Sequence, residues 1–169
     1  MAGFATGAGT HADMFLKFGD IKGESTDDKH KDEIQLLSFS FGATQPGSSG
    51  HGGGAGVGRV SLHDFSISKY VDKSSPKLFE ACAAGTHTAT ADLICRKAGG
   101  TQQEYLKIHL KDVLISSIQT SGSDRGDLPT ESLTLNYSYI KIDYASQDSK
   151  GGVGPNMSGG WDVKANKKA

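Results

Sequence analysis

The sequence predicts a mainly β fold, a compact β-barrel of two packed antiparallel sheets with one flanking α-helix and an extended glycine-rich loop. Three observations carry this prediction. Apolar and polar residues alternate with period two over most of the chain, one stretch alone has apolar positions at helical spacing, and glycines crowd a segment between two strand patterns. At 169 residues a single domain is expected, long enough to remove about 70% of the unfolded chain's surface from water.

The first strand pattern begins at Asp13, with Met14, Leu16 and Phe18 on one face and Lys17 on the other. The charged run DDKHKDE at 27–33 alternates in sign and reads as a solvated turn between strands. Ile34 and Leu36 then lead into Phe39-Ser40-Phe41. Next comes TQPGSSGHGGGAGVGRV at 44–60, with seven glycines in seventeen residues. It is longer than the usual hairpin connection of about 2 to 5 residues, and its glycines suit a backbone that approaches another surface closely.

RVSLHDFSISKYV at 59–71 is a further strand in which Val60 and Leu62 share one phase, Phe65 and Ile67 the other. The slip at His63-Asp64 predicts a bulge. The helix starts at Ser74-Ser75-Pro76 and closes at Gly85, serine and proline supplying the start and glycine the stop. Its apolar positions Leu78, Phe79, Cys82 and Ala83 predict one face laid against the sheet.

Strand patterns follow at 88–97, 103–117 and 131–145, with a short one at 161–165. In ESLTLNYSYIKIDYA the apolar phase passes from Leu133, Leu135, Tyr137 and Tyr139 to Ile140, Ile142 and Tyr144. A strand that changes face midway is buried twice, once in its own core and once against something else. Repeated strands with one helix favour a barrel or sandwich, because closure removes edges that would otherwise aggregate. The tail at 146–160, rich in Gly and Ser, is expected to be a mobile loop.

The formal net charge of -1 leaves no basic footprint for a nucleic-acid backbone. No stretch approaches the ~20 apolar residues that span a bilayer, and the N-terminus lacks the n- and h-regions of a Sec signal. Synthesis and folding in the cytoplasm are expected. Cys82 and Cys95 are expected as reduced thiols.

Motifs for chemistry fail on context. A phosphate loop needs G-x-x-x-x-G-K-[ST] running into a helix, whereas this segment ends Gly58-Arg59-Val60 and enters a strand. The dinucleotide pattern survives only as Gly50, Gly52 and Ala55, again without a helix. The six histidines show no metal-ligand spacing, so neither metal nor cofactor is expected. Ser66-x-x-Lys69 lies on a strand, where positions three apart face opposite ways, and Ser74-x-x-Lys77 is the helix cap. Asp20, Glu24, Asp64, Asp112 and Asp143 border turns or strand ends, and nothing selects an acid and base pair among them.

Several blocks together resemble the Hcp family, the haemolysin-coregulated inner-tube proteins of bacterial type VI secretion systems. They are GDIKGES at 19–25, EIQLLSFSFG at 33–42, KYVDKSSPKL at 69–78, RKAGG at 96–100, QEYLKIHLKDVLISS at 103–117, ESLTLNYSYIKIDY at 131–144 and the terminal Gly160-Trp161. The resemblance implies a single tube domain over 13–169; the chain departs from the family in about nine extra residues before the first strand, MAGFATGAG, so 1–12 is expected to be a disordered extension. It implies hexameric rings that stack into a tube, a contractile sheath, a trimeric spike protein, effector proteins in the lumen, and secretion by the type VI route, with no membrane insertion.

In the family the small residue between the strand aromatics faces the lumen, which assigns that place to Ser40. The family's extended loop reaches the neighbouring ring, which assigns stacking contact to Gln45, Pro46, Gly47, Ser48, Ser49, Gly50, His51, Gly52, Gly53 and Gly54, and on to Gly58. The reading is of a structural tube subunit rather than an enzyme, since about 25 residues after Tyr144 are too few for a catalytic domain. The alternative is a stand-alone secreted β-sandwich toxin or carbohydrate-active enzyme.

Overall fold

The computed structural model describes residues 12–47, 59–97, 102–126, 128–147 and 152–169. Ten of its strands form one folded antiparallel sheet, and the strand β8, Glu104–Ser121, belongs to both of its layers. The first half of β8 pairs β7 (His87–Lys97) on one side and β10 (Tyr139–Gln147) on the other. Beyond β7 lie β1 (Ala12–Phe18) and β2 (Ile34–Gln35), and beyond β10 lie β11 (Val153–Asp162) and β12 (Lys167–Lys168). This outer layer ends at β2 on one edge and β12 on the other.

The second half of β8 pairs β9 (Thr130–Asn136), which pairs β6 (Phe65–Tyr70), which pairs β3 (Ser38–Ser40). These four strands make the inner layer. β8 turns between layers at Asp112, whose φ of 52° is unusual for a residue with a Cβ, and a register shift between Ile115 and Ser117 bends it again. The chain opposite breaks at Tyr137-Ser138, between β9 and β10, where the sequence changes apolar phase.

The two layers enclose Leu16, Phe18, Phe65, Leu93, Ile108, Leu110, Val113, Leu133 and Leu135, each at most 2% exposed. Burying one such side chain contributes about 1.5 to 3 kcal/mol. Among the described residues the sheet does not close. Paired strands fold over one core without joining their ends, so the expected barrel is a bent sheet with edges.

Helix α1, Ser75–Ala84, forms where predicted, with Ser74 at the N-cap position and Pro76 in the first turn. Ser74 makes no side-chain cap bond; its hydroxyl donates to Asp72 instead. Gly85 takes φ 64° and its N–H donates to Cys82 O, ending the helix as only glycine does cheaply. The face differs from expectation. Leu78 is buried, Ala81 and Cys82 pack on the core, and Phe79 is turned out, 62% exposed.

Three other expectations change. The slip at His63-Asp64 is a break between two strands: β5 (Ser61–Leu62) pairs β4 (Ala43–Thr44) in a separate hairpin, while β6 turns into the inner layer. The tail expected as a loop at 146–160 holds most of β11, which pairs β10 from Tyr139↔Asp162 to Gln147↔Val153. A Gly-rich strand of this kind has no pattern of its own and takes its order from its partner.

The charged run at 27–33 is not wholly solvated. His30 is 3% exposed, stacked on Phe15 with ring centroids 4.4 Å apart. Gly23 lets this segment close on itself, since a Cβ there would meet Glu33 O at 2.3 Å.

Candidate functional site

The inner layer carries an exposed face built almost wholly of hydroxyls. Two rows cross it, Ser38, Ser68, Ser132, Gln119 and Ser40, Ser66, Thr134, Ser117, each row contributed by β3, β6, β9 and β8 in turn. Neither row contains a charged or large apolar side chain. Ser38 Oγ and Ser68 Oγ lie 2.5 Å apart, and Thr134 Oγ1 lies 2.5 Å from Ser117 Oγ and 2.7 Å from Ser116 Oγ. The intervening residues Phe39, Ile67, Leu133 and Ile118 point to the core, as period two requires.

Both ends of this layer are edges. Among the described strands, β3 pairs only β6. The β7 partner of β8 ends at His87↔Leu114, so from Ile115 onward β8 has β9 on one side and no described strand on the other. Four antiparallel strands give these edges opposite directions. A second copy can therefore add its β8 to β3 antiparallel, extending the same sheet.

Helix α1 is fixed to this layer by a buried cation. Lys69, fully buried at the end of β6, places its Nζ within hydrogen-bond reach of Tyr70 O (2.8 Å), Asp72 Oδ1 (2.9 Å), Ser75 Oγ (3.2 Å) and Glu131 Oε2 (3.0 Å), four acceptors that share its three N–H groups. Ser75 Oγ also donates to Glu131 Oε2 at 2.8 Å. Ser66, three residues before Lys69, lies on the opposite hydroxyl face.

The outer layer has its own clamp. Arg96 donates through Nη1 and Nη2 to both oxygens of Asp27, 3.0 and 2.6 Å, and through Nη2 to Asp13 at 3.1 Å. The Arg96 guanidinium beside Asp27 holds that carboxyl down at about 2. His30 Nδ1 and Nε2 sit 3.0 Å from Glu33 and 3.1 Å from Glu104.

Known proteins agree with this architecture. A family model described as "Type VI secretion system effector, Hcp" matches residues 15–144. This chain belongs to the Hcp family. Protein hcp1 of Pseudomonas aeruginosa is 47% identical over 159 residues, covering 93% of this chain and 98% of that one. A solved structure of a type six secretion system protein matches with TM-score 0.89 and 30% identity, over 94% of this chain and all of that one. Hcp1 from Salmonella typhimurium matches with TM-score 0.77 and 36% identity, over 94% and 99%. The relatives named above are Hcp and type VI secretion system proteins.

Within this Hcp fold, Ser40 is exposed on β3, opposite Ser66. Gln45, Pro46 and Gly47 leave the β4 end of the small hairpin, exposed; Ser48, Ser49, Gly50, His51, Gly52, Gly53 and Gly54, with the rest to Gly58, lie outside the described residues. So do Ala55 and residues 1–11. Asp64 accepts from Ser116 Oγ (2.6 Å) and Asn136 Nδ2 (3.1 Å) at the rim of the hydroxyl face, while Asp112 meets His87 at 2.8 Å and Lys164 at 2.5 Å. Asp143 accepts from Ser158, and Asp20, Glu24, Asp64, Asp112 and Asp143 come together at no common site among the described residues.

Cys82 and Cys95 are free thiols, and burial pushes Cys95 up to about 11. The companions of Ser40 were missed in the sequence. Their signal is a repeated triplet, hydroxyl or amide on either side of one apolar residue: Ser38-Phe39-Ser40, Ser66-Ile67-Ser68, Ser117-Ile118-Gln119 and Ser132-Leu133-Thr134.

Proposed function

We infer that the protein is a ring-building tube subunit of a type VI secretion system, acting structurally rather than as a catalyst. Six copies join head to tail, β3 of each against the second half of β8 of the next, and the four-strand inner layers become one continuous wall. The observation that carries this reading is the pair of oppositely directed edges at the two ends of one four-strand layer. A heterologous contact of this kind closes into a ring when its rotation permits.

The hydroxyl rows face the lumen, Ser40 among them. Short, uncharged side chains leave room for an effector protein and hold it by hydrogen bonds rather than by charge. Gln45, Pro46 and Gly47, with the following residues to Gly58, reach the adjacent ring and stack it into a tube. A contractile sheath outside and a trimeric spike protein at the tip are the other partners. The subunit waits in the cytoplasm and leaves by the type VI route; among the described residues no helix is long and apolar enough to cross a membrane.

Light scattering on the purified protein tests the ring. The expected mass is six times the 17.7 kDa of the chain; a single-chain mass at every concentration would contradict it. Ser40→Gln is expected to keep the ring and lower the level of a co-expressed effector, and equal effector levels would remove Ser40 from the lumen site.

A further inference from the structure

The inner face of the outer layer is covered over part of its width only. Along the row Leu16, Leu93, Ile108, Ile142 the first three side chains are at most 2% exposed and Ile142 is half-buried. One row further, Cys95 is 1% exposed, while its row mates on β10 and β11, Tyr144 and Met157, are 47% and 71% exposed. The apolar face of the sheet thus outruns the layer that covers it. What is left is a groove of about 450 Å³, walled by Ile142 and Met157 on one side and Phe41 and Leu62 on the other, with Trp161 in its lining.

Strand polarity says what lies beside this groove. Phe41 directly follows the β3 edge. The inner-layer row Ser40, Ser66, Thr134, Ser117 sets the heights of β3 and β8 relative to each other. An antiparallel β8 from a neighbouring copy therefore brings its Leu114 end to Phe41. In that neighbour α1 starts at the Lys69–Glu131 pair, runs along the second half of β8 and ends at Gly85, two residues before His87 pairs with Leu114.

The groove of one copy and the helix of the next are brought side by side. On its outer face that helix carries one large apolar side chain, Phe79, 62% exposed although the sequence pattern places it with the core stripe.

The geometry points to Phe79 of one copy entering the groove formed by Ile142, Met157, Phe41 and Leu62 of its neighbour, so that α1 covers the sheet face the single chain leaves open. The partner is a second copy of this chain, and the inference rests on the ring reading above. It assigns the helix a second role: Leu78 seats it on its own core while Phe79, one residue on, holds the next subunit.

Trp161, the chain's one tryptophan, reports the groove directly. Phe79→Ser and Met157→Ser change side chains exposed in the single chain, and circular dichroism and melting of each dissociated variant are expected to match the unaltered chain. Assembly is followed by light scattering and by Trp161 emission. In the unaltered protein the emission moves to shorter wavelength as rings form. Each variant is expected to need at least about tenfold more protein to assemble.

Loss in both variants supports the contact. Either variant assembling at the unaltered concentration with the same emission shift overturns it while leaving the ring in place. An unaltered chain that stays single at all concentrations overturns the ring and this contact together.

Discussion

Lys69 and Arg96 are both cations removed from water, and they are held in different ways. Lys69 and its main partner Glu131 are 0% and 3% exposed, and the ammonium reaches four acceptors. Arg96 is 2% exposed, but its partners Asp27 and Asp13 are 18% and 45% exposed, and among the described residues its Nε has no hydrogen-bond partner. The inner layer is thus tied to its helix by a saturated cluster whose central pair, Lys69 and Glu131, is buried, while the outer layer is tied to a surface segment by a clamp that opens to water. In the proposed ring the rigid attachment lies where copies would meet, with α1 and the second half of β8 keeping one relative position for a neighbour to dock.

The largest effect is expected from Lys69→Met, which leaves Glu131 buried without its cation. Breaking a buried pair from one side costs about 3 to 5 kcal/mol, and denaturant unfolding will read it. Arg96→Met is expected to cost less, about 2 kcal/mol, because Asp27 and Asp13 regain water when the guanidinium is gone. Equal losses would show that the two clamps are alike and remove the contrast.

Neighbouring helix positions give a sharper test. Leu78→Ala is expected to lower the stability of the dissociated chain by about 2 to 4 kcal/mol, and Phe79→Ala by no more than about 0.5 kcal/mol. The reverse order would return Phe79 to the core.

The contrast also has a pH signature. Asp27 is held at about 2 against an ordinary 3.8, so its folded carboxylate is favoured. Its contribution is fully present above pH 3.8 and is lost as pH falls toward 2. Discounted for its partial exposure it amounts to about 1 to 2 kcal/mol. Acid titration of stability is expected to show this decline in the unaltered chain and a flatter profile over the same interval in Arg96→Met.

Much of the fold was legible where residues carry their own instructions. Ser75-Pro76 and Gly85 bound the helix, and the phase change at Tyr137 to Ile140 marks where the chain passes between layers. The phase of the helix was less legible, because Leu78 and Phe79 are adjacent and either one fits a stripe with Cys82; only Ala81 and the buried Ser75 decide for Leu78. β11 was hidden because VGPNMSGGWD has no alternation, and its order comes from β10. His30 was hidden inside a charged run because Glu104 and Arg96, which hold its segment, lie more than sixty residues away. The expectation for Ser40 came from its aromatic neighbours through the family, whereas the hydroxyl face needs four strands in register, and register is a property of the folded sheet.

The most direct test of the ring is a cysteine pair across its seam. Ser38 and Gln119 stand in one row of the inner layer, separated by β6 and β9, hence about 14 Å apart within a chain at ~4.8 Å per strand. A disulfide needs Cα atoms within about 7 Å, so the bond cannot form inside one copy. Ser38→Cys with Gln119→Cys, and Ser40→Cys with Ser117→Cys for a second register, are oxidised and run on a denaturing gel without reductant beside the unaltered chain. The account predicts a ladder of covalent species ending at six copies in at least one pair; single-chain bands alone in both pairs would contradict it.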